Sequence, residues 1–131
     1  MRHAIVTETY PPEVNGVALT VQSLERGLMA RGHEVELIRP RQHARETAPA
    51  HTVLMRGANL PRYPGLKFGL PATGMLLRHW RENPPDAVYV ATEGPLGWSA
   101  LRAARRLGIP VASGFHTRFD EYMRDYGLRW L

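Results

Sequence analysis

The sequence predicts an α/β fold: a Rossmann-like, doubly wound domain with a mostly parallel sheet. Short β-branched runs alternate with segments of helical periodicity, and glycines or prolines stand at the ends of these segments. Such alternation generates βαβ units, whose crossovers place parallel strands side by side. The chain has 131 residues, 44% of them hydrophobic, which suits a single core, so we expect residues 1–131 to form one domain.

The first forty residues predict a strand, a loop, a helix and a second strand. The run from His3 to Thr7 is short and β-rich, and turn-forming residues follow it. From Val17 to Ala30 the apolar residues recur at helical spacing, and Gly32 ends that pattern. Val35 to Ile38 form a second strand-like run, closed by Pro40. The order of these elements is that of a βαβ unit.

The middle of the chain predicts a third strand and then a long loop. Thr52 to Met55 is the strand candidate. The segment from Gly57 to Pro71 contains three prolines and three glycines, which disfavour a long regular element. A loop of this length in a small domain suggests a functional role.

The second half repeats the alternation of helix and strand. Helical spacing predicts helices over Ala72–Glu82 and Leu96–Leu107, and an apolar β-rich run predicts a buried parallel strand at Ala87–Val90. Ile109–Ala112 is the fifth strand candidate, and Asp120–Tyr126 predicts a short terminal helix. Each element thus has the neighbours that a doubly wound sheet requires.

Composition narrows the class of protein. Cysteine is absent, which excludes disulfides and thiolate metal sites and agrees with a reducing compartment. The six histidines are scattered without metal-ligand spacing, so no metal site is predicted. No apolar run approaches the ~20 residues that cross a bilayer, so we expect a cytoplasmic protein, with peripheral contact at the inner face of the membrane as an option.

The charge of the chain leaves several partners open. The formal net charge is +5 and most cations are arginines. An excess of arginine suits binding of phosphates, anionic lipid or nucleic acid. A GC-rich coding sequence also raises the arginine content and explains the same composition without a binding role. No aromatic stacking motif accompanies the charge, so nucleic acid is not an expected partner. The Arg78–Arg81 cluster predicts either an interfacial helix on anionic membrane or, preferably, a solvated basic face with Trp80 in the core.

Three loops are the candidate binding segments, because ligands of doubly wound sheets sit at the carboxyl ends of the strands. These loops are Glu8–Gly16, Thr92–Gly94 and Ser113–Arg118. In the first loop, Gly16 gives backbone N–H groups close access to an anion at a helix N-terminus. An ordinary Asn-Gly turn that begins a helix explains the same residues. The glycine spacing of dinucleotide-binding domains and the Gly-Lys-Ser/Thr phosphate loop are both absent, which argues against an oxidoreductase.

Several motifs resemble one known family. Thr7–Val17 reads Thr-Glu-Thr-Tyr-Pro-Pro-Glu-Val-Asn-Gly-Val, and Arg31–Val35 reads Arg-Gly-His-Glu-Val. Leu60–Pro64 is proline-rich, and Gly114–Phe119 reads Gly-Phe-His-Thr-Arg-Phe. Together, and in this order, they resemble the N-terminal domain of family 4 glycosyltransferases of the GT-B fold, and are most similar to mannosyl-transferring or glycolipid-forming members.

The resemblance implies roles for residues on the donor side. Gly16, with Asn15 beside it, would contact the donor diphosphate, and His116 would reach the transferred sugar as the catalytic residue. The expected donor is a nucleotide sugar such as GDP-mannose or a UDP-sugar, with no cofactor and no metal. Without the resemblance, His116 would be interpreted as a structural or surface histidine.

The acceptor side is assigned to four residues. Glu8, Tyr10, Glu93 and Arg118 are predicted to contact a lipid or glycan acceptor, Arg118 through bidentate binding of an anion. Each has a simpler structural explanation. Tyr10 would pack its loop, the segment around Glu93 would cap a helix, and Arg118 would form a surface ion pair.

Members of this family carry a second α/β domain that binds most of the donor, and these 131 residues contain none of it. We therefore expect a C-terminal donor-binding domain outside this chain, a retaining mechanism in the whole enzyme, and little or no activity of this domain alone. The competing hypothesis is a stand-alone module that binds anionic lipid or another protein.

Overall fold

The computed structural model describes residues 1–12, 16–42, 45–55, 57–60, 63–69 and 72–114, with the backbone alone for 57–60 and 63–69. The described elements alternate as predicted, in this order: β1 (Arg2–Val6), α1 (Gly16–Ala30), β2 (Glu34–Pro40), β3 (Thr52–Met55), β4 (Gly57–Leu60), β5 (Tyr63–Gly69), α2 (Thr73–Glu82), β6 (Ala87–Val90), α3 (Pro95–Leu107) and β7 (Val111–Ser113). The predicted helix over Asp120–Tyr126 lies outside the described residues.

Five strands form one parallel sheet in the order β3-β2-β1-β6-β7. The strand β1 pairs with β2 on one side and with β6 on the other, so the strand order reverses direction at β1. In open parallel sheets, the crevice at such a reversal is where ligands bind. The predicted doubly wound α/β fold is confirmed, and it places the loops after β1 and β6 at this crevice.

Both faces of the sheet are covered by helices. On one face, Val21 of α1 packs with Ile5, Val35 and Leu37. On the other face, α2 and α3 pack over a second cluster that includes the fully buried residues Ala4, Val6, Ile38, Trp80 and Leu96. Because successive strand side chains point to opposite faces, neighbouring residues in β1 supply both clusters.

The segment Gly57–Pro71 differs from its prediction as a loop. Its backbone forms an antiparallel hairpin of β4 and β5, with Gly57 opposite Gly69 and an irregularity between Asn59 and Leu60. A proline lacks the N–H that a central strand must donate, but a two-stranded hairpin has outer edges where this costs little. The proline and glycine content therefore correctly predicted that no long regular element forms here, but it did not predict the short hairpin.

The end of α3 follows from local chemistry. Pro95 occupies the first turn, where its missing N–H costs nothing, and Gly108 ends the helix in a left-handed conformation with φ of 69°. The Gly108 N–H donates to the carbonyls at the end of α3. No helix among the described residues is both long and apolar enough to span a bilayer.

Candidate functional site

The candidate loops start from one edge of the parallel sheet. The Ala91 N–H, directly after β6, donates to the Val6 carbonyl at 2.8 Å, and the Gly114 N–H, after β7, donates to the Val90 carbonyl at 2.9 Å. These bonds continue the strand ladders to their last residues and fix where each loop leaves the sheet. The three strand ends named by the sequence therefore lie side by side at the carboxyl edge.

Glu8 links two of these loops. Its N–H donates to the Thr92 hydroxyl at 2.8 Å, and its carboxylate accepts from the Gly97 N–H at 3.0 Å. The residue is only 8% exposed. The first turn of α3 has unpaired N–H groups and a partial positive charge, and its N-cap residue Gly94 offers no side-chain cap. Glu8 supplies that cap from the opposite loop, and its predicted contact with an acceptor stays a prediction.

Gly97 is a position that sequence reasoning missed. A side-chain carbon built there would overlap the backbone carbonyl oxygen of Thr92 and touch Val90. The loop after β6 therefore folds back directly onto the first turn of α3, which requires a glycine on that turn. A glycine inside a helical pattern signals such a close approach, and this signal was available in the sequence.

Glu93 differs from Glu8 in the hydrogen bonding of its carboxylate. Both oxygens are buried, and neither has a hydrogen-bond partner within the part of the chain that the structure describes. Burying an unpaired carboxylate is costly, and folded proteins rarely retain one without a function. Glu93 lies between Thr92 and Gly94 in the loop after β6, at the crevice. It can accept hydrogen bonds from the hydroxyl groups of a ligand.

Tyr10 is held by several partners in the loop after β1. Its phenol donates a hydrogen bond to Glu25, its carbonyl accepts from the Gln42 side chain at 2.6 Å, and the Arg39 guanidinium lies 5.2 Å from the ring centroid. Burial and the hydrogen bond to Glu25 raise the pKa of Tyr10 above its usual value of 10.0. The structure thus shows Tyr10 packing its loop, and its acceptor role remains a prediction.

The partner of Tyr10 belongs to a small, partly buried network. Glu25, in α1, is 3% exposed, and its second carboxylate oxygen lies 2.6 Å from Nε2 of His51. His51 directly precedes β3, and its carbonyl accepts from the Leu37 N–H at 2.9 Å. Neither Glu25 nor His51 was a predicted site residue. Glutamates are mostly exposed in folded proteins, so the sequence gives no sign that Glu25 is buried, and no sequence spacing connects it to His51.

The donor-side predictions are only partly located by the structure. Gly16 is exposed at the first residue of α1, its carbonyl accepts from the Thr20 hydroxyl at 2.8 Å, and a side-chain carbon there would meet nothing within 4 Å. Packing against the described residues therefore does not require a glycine at this position. Asn15, His116 and Arg118 lie outside the described residues.

A second buried carboxylate lies toward the amino edge of the sheet. Glu36 of β2 accepts from Arg2 at 3.1 Å and from the Trp80 indole at 3.2 Å, and lies 2.7 Å from Nε2 of His79. Trp80 is fully buried, which confirms the interpretation that it belongs to the core rather than to a membrane-facing surface. A surface cleft of about 550 Å³ lies beside this cluster, away from the predicted carboxyl-edge site.

No metal centre is supported by the described residues, since no three histidine or acidic side chains among them converge. Among the described polar groups at the carboxyl edge, the Glu93 carboxylate is a hydrogen-bond acceptor suited to hydroxyl groups. The site geometry therefore favours a ligand rich in such groups.

Comparison with known proteins agrees with this chemistry. The model of the family described as Glycosyltransferase Family 4 matches residues 14–131. The chain is 33% identical to the GDP-mannose-dependent alpha-mannosyltransferase of Mycobacterium tuberculosis (strain CDC 1551 / Oshkosh), over 98% of this chain and 35% of that relative. It is 32% identical to the alpha-monoglucosyldiacylglycerol synthase of Acholeplasma laidlawii, over 93% of this chain and 31% of that relative. The chain thus spans about a third of the length of these curated relatives.

A solved structure supports the fold independently. The UDP-GlcNAc 2-epimerase of Methanocaldococcus jannaschii superposes with a TM-score of 0.60 at 19% identity, covering all of this chain and 36% of that protein. At this identity the likeness concerns the fold alone.

Proposed function

The chain belongs to glycosyltransferase family 4, and from that premise we propose that residues 1–131 form the N-terminal, acceptor-side domain of a retaining glycosyltransferase. The enzyme moves mannose or another hexose from a nucleotide-sugar donor to a lipid or glycan acceptor. A C-terminal donor-binding domain outside this chain completes the cleft. The domain is inactive alone or nearly so, because transfer requires donor and acceptor to be oriented together.

The observation that carries the proposal is the carboxylate of Glu93 at the crevice, whose buried oxygens have no hydrogen-bond partner among the described residues. Sugar and glycerol hydroxyls are hydrogen-bond donors, and a carboxylate in a site of low polarity binds them strongly. We assign Glu93 to an acceptor hydroxyl. Glu8 fixes the loop after β1 against the start of α3 through Thr92 and Gly97, which keeps the two walls of this crevice in register.

The donor side rests on Gly16 and His116. Gly16 is exposed at the N-terminus of α1, where backbone N–H groups and the helix dipole favour a diphosphate, with Asn15 beside it. His116 contacts the transferred sugar. Two relatives are named as GDP-mannose-dependent enzymes, so GDP-mannose is the first donor to test and UDP-sugars are the second.

The experiment is a transfer assay with the full-length protein that contains this chain. Purified protein is incubated with radiolabelled GDP-mannose, UDP-glucose or UDP-galactose, together with diacylglycerol-type lipid or oligosaccharide acceptors. We expect one donor to label one acceptor class, and His116→Ala and Glu93→Gln each to lower kcat/KM at least about tenfold, the loss of one strong hydrogen bond. Absence of transfer from every donor would contradict the proposal.

A second candidate function, binding of anionic lipid by this domain, is favoured by exposed arginines on neighbouring helices: Arg78 and Arg81 of α2, and Arg102, Arg105 and Arg106 of α3. Such a face would hold a cytoplasmic enzyme peripherally at a membrane where lipid acceptors reside. Sedimentation with liposomes tests it. Binding that does not depend on the anionic lipid content would remove this function and leave the transferase proposal intact.

A further inference from the structure

We propose that Glu25 and His51 are positioning residues for the donor: through the Tyr10 phenol they hold residues 8–12, the first part of the loop after β1, in the geometry that binds the ligand. The inference rests on the proposed function, since it assigns this loop to the nucleotide sugar. Glu25 and His51 do not themselves contact the donor. Glu25 belongs to α1, His51 directly precedes β3, and Tyr10 lies in the loop after β1.

Tyr10 anchors the first part of the loop after β1. The loop leaves β1 at Thr7, whose hydroxyl donates to the Thr9 carbonyl at 2.7 Å. Beyond this turn, the Tyr10 side chain extends to Glu25, while the Gln42 amide donates to the Tyr10 carbonyl at 2.6 Å. Both the backbone and the side chain of Tyr10 are therefore anchored.

Glu25 connects that anchor to the helix that Gly16 begins. Both residues belong to α1, so a hydrogen bond from Tyr10 to Glu25 closes a ring made of the loop and α1. Closing the ring restricts the conformations of the loop before any ligand arrives. A backbone that is already ordered loses less entropy when it binds a diphosphate, and the binding is tighter by that amount.

His51 completes the network from the sheet side. Its ring nitrogen lies 2.6 Å from the carboxylate oxygen of Glu25 that Tyr10 does not use. Its own backbone is fixed by the bond from Leu37 to its carbonyl. Each oxygen of the buried Glu25 carboxylate thus has a partner, and the carboxylate has one preferred orientation toward Tyr10.

A purely structural network and a positioning network predict different kinetics. If Glu25 only stabilised the core, its loss would lower the fraction of folded enzyme, and kcat per folded molecule and the donor KM would stay unchanged. If it positions the loop, its loss weakens the binding of the nucleotide while the folded protein and its transfer chemistry persist. The separation of KM from kcat therefore distinguishes the two roles.

The test uses the full-length protein with Tyr10→Phe, Glu25→Ala, Glu25→Gln and His51→Ala. Glu34→Gln is the control, a neighbouring exposed carboxylate of β2. GDP and UDP are titrated by calorimetry, and steady-state kinetics follow with the donor that transfers. We expect Glu25→Ala and Tyr10→Phe to weaken nucleotide binding and raise the donor KM by about five- to tenfold, with kcat within about twofold. Glu25→Gln, which keeps an acceptor for Tyr10, restores most of the affinity.

Hydrogen exchange at the amides of residues 8–10 provides a readout that needs no activity. Tyr10→Phe and Glu25→Ala are expected to speed this exchange about tenfold, whereas Glu34→Gln leaves it unchanged. Unchanged exchange, or unchanged nucleotide affinity in folded variants, overturns the inference. A wild-type protein that binds neither nucleotide and transfers no sugar overturns the proposed function, and the exchange rates alone then decide whether the network holds the loop.

Discussion

The two buried carboxylates Glu36 and Glu93 differ in their hydrogen-bond partners. Glu36 is surrounded by donors from Arg2, His79 and Trp80. The oxygens of Glu93 have no partner among the residues that the structure describes. Both groups have lost contact with bulk water, and among the described residues only Glu36 has hydrogen-bond donors around its carboxylate. The amino-edge carboxylate is thus part of the scaffold, whereas we propose that the carboxyl-edge carboxylate binds a ligand.

This contrast distinguishes two kinds of buried polar group in the domain, those with and those without hydrogen-bond partners among the described residues. A satisfied buried network stabilises one arrangement of the elements around it, and losing one member leaves its partners unpaired. An unsatisfied group lowers stability until a ligand binds, and such costs concentrate at functional sites. Substitutions at Glu36 and Glu93 are therefore expected to change the free energy of unfolding in opposite directions and by different amounts.

The largest effect is expected at Glu36. Glu36→Ala removes the acceptor of three donors and leaves the buried indole N–H of Trp80 without a partner, so we expect the free energy of unfolding to fall by about 3 kcal/mol. Urea-induced unfolding measures it. Glu34→Ala, an exposed carboxylate on the same strand, is the control and should change stability little. Equal effects of the two substitutions would refute the scaffold role of Glu36.

The next effect concerns the close approach between the loop after β6 and the first turn of α3. Gly97→Ala places a methyl group on the Thr92 carbonyl, and we expect a loss of about 2 kcal/mol, because the overlap outweighs the gain in helix propensity of about 1 kcal/mol. Gly27→Ala in α1 meets no atom within 4 Å and should stabilise the protein. Thermal unfolding of both variants checks the pair, and a stable Gly97→Ala protein would contradict the close approach.

Glu93 should respond in the direction opposite to Glu36. Glu93→Gln replaces a buried carboxylate that has no partner among the described residues, so we expect the unfolding free energy to rise by about 1 kcal/mol while transfer by the full-length enzyme falls. Urea unfolding and the transfer assay are run on the same preparation. A loss of stability would show that Glu93 belongs to the scaffold, and the comparison between the two carboxylates would fail.

The smallest effect is a pH dependence from Tyr10. Because its pKa is raised in the folded protein, the folded state keeps the phenol proton more tightly than the unfolded chain does. Its contribution to stability is therefore complete below pH 10, the usual pKa, and is lost as the pH rises through the raised value. Alkaline unfolding of wild type and Tyr10→Phe checks this. The stability difference between them should shrink as the pH rises, and a constant difference would contradict the raised pKa of Tyr10.

Local patterns in the sequence predicted most of the scaffold. Apolar spacing located α1, α2 and α3, and β-branched runs located the five strands of the parallel sheet. Alternation of strand and helix, with loops at the carboxyl edge, then identified the candidate segments. Residues after 114 that carry His116 and Arg118 lie outside the described structure, so those assignments stay predictions from the resemblance.

What the sequence determined by itself was therefore the periodic part of the molecule, because side-chain periodicity and helix-ending glycines and prolines act between near neighbours. Only the tertiary structure decided which polar groups meet. Glu8 caps a helix far along the chain, Glu25 joins Tyr10 to His51, and Glu93 has no hydrogen-bond partner in the part of the chain that the structure describes. Such contacts depend on crossovers that bring distant segments within hydrogen-bond distance, and no spacing along the sequence records that distance.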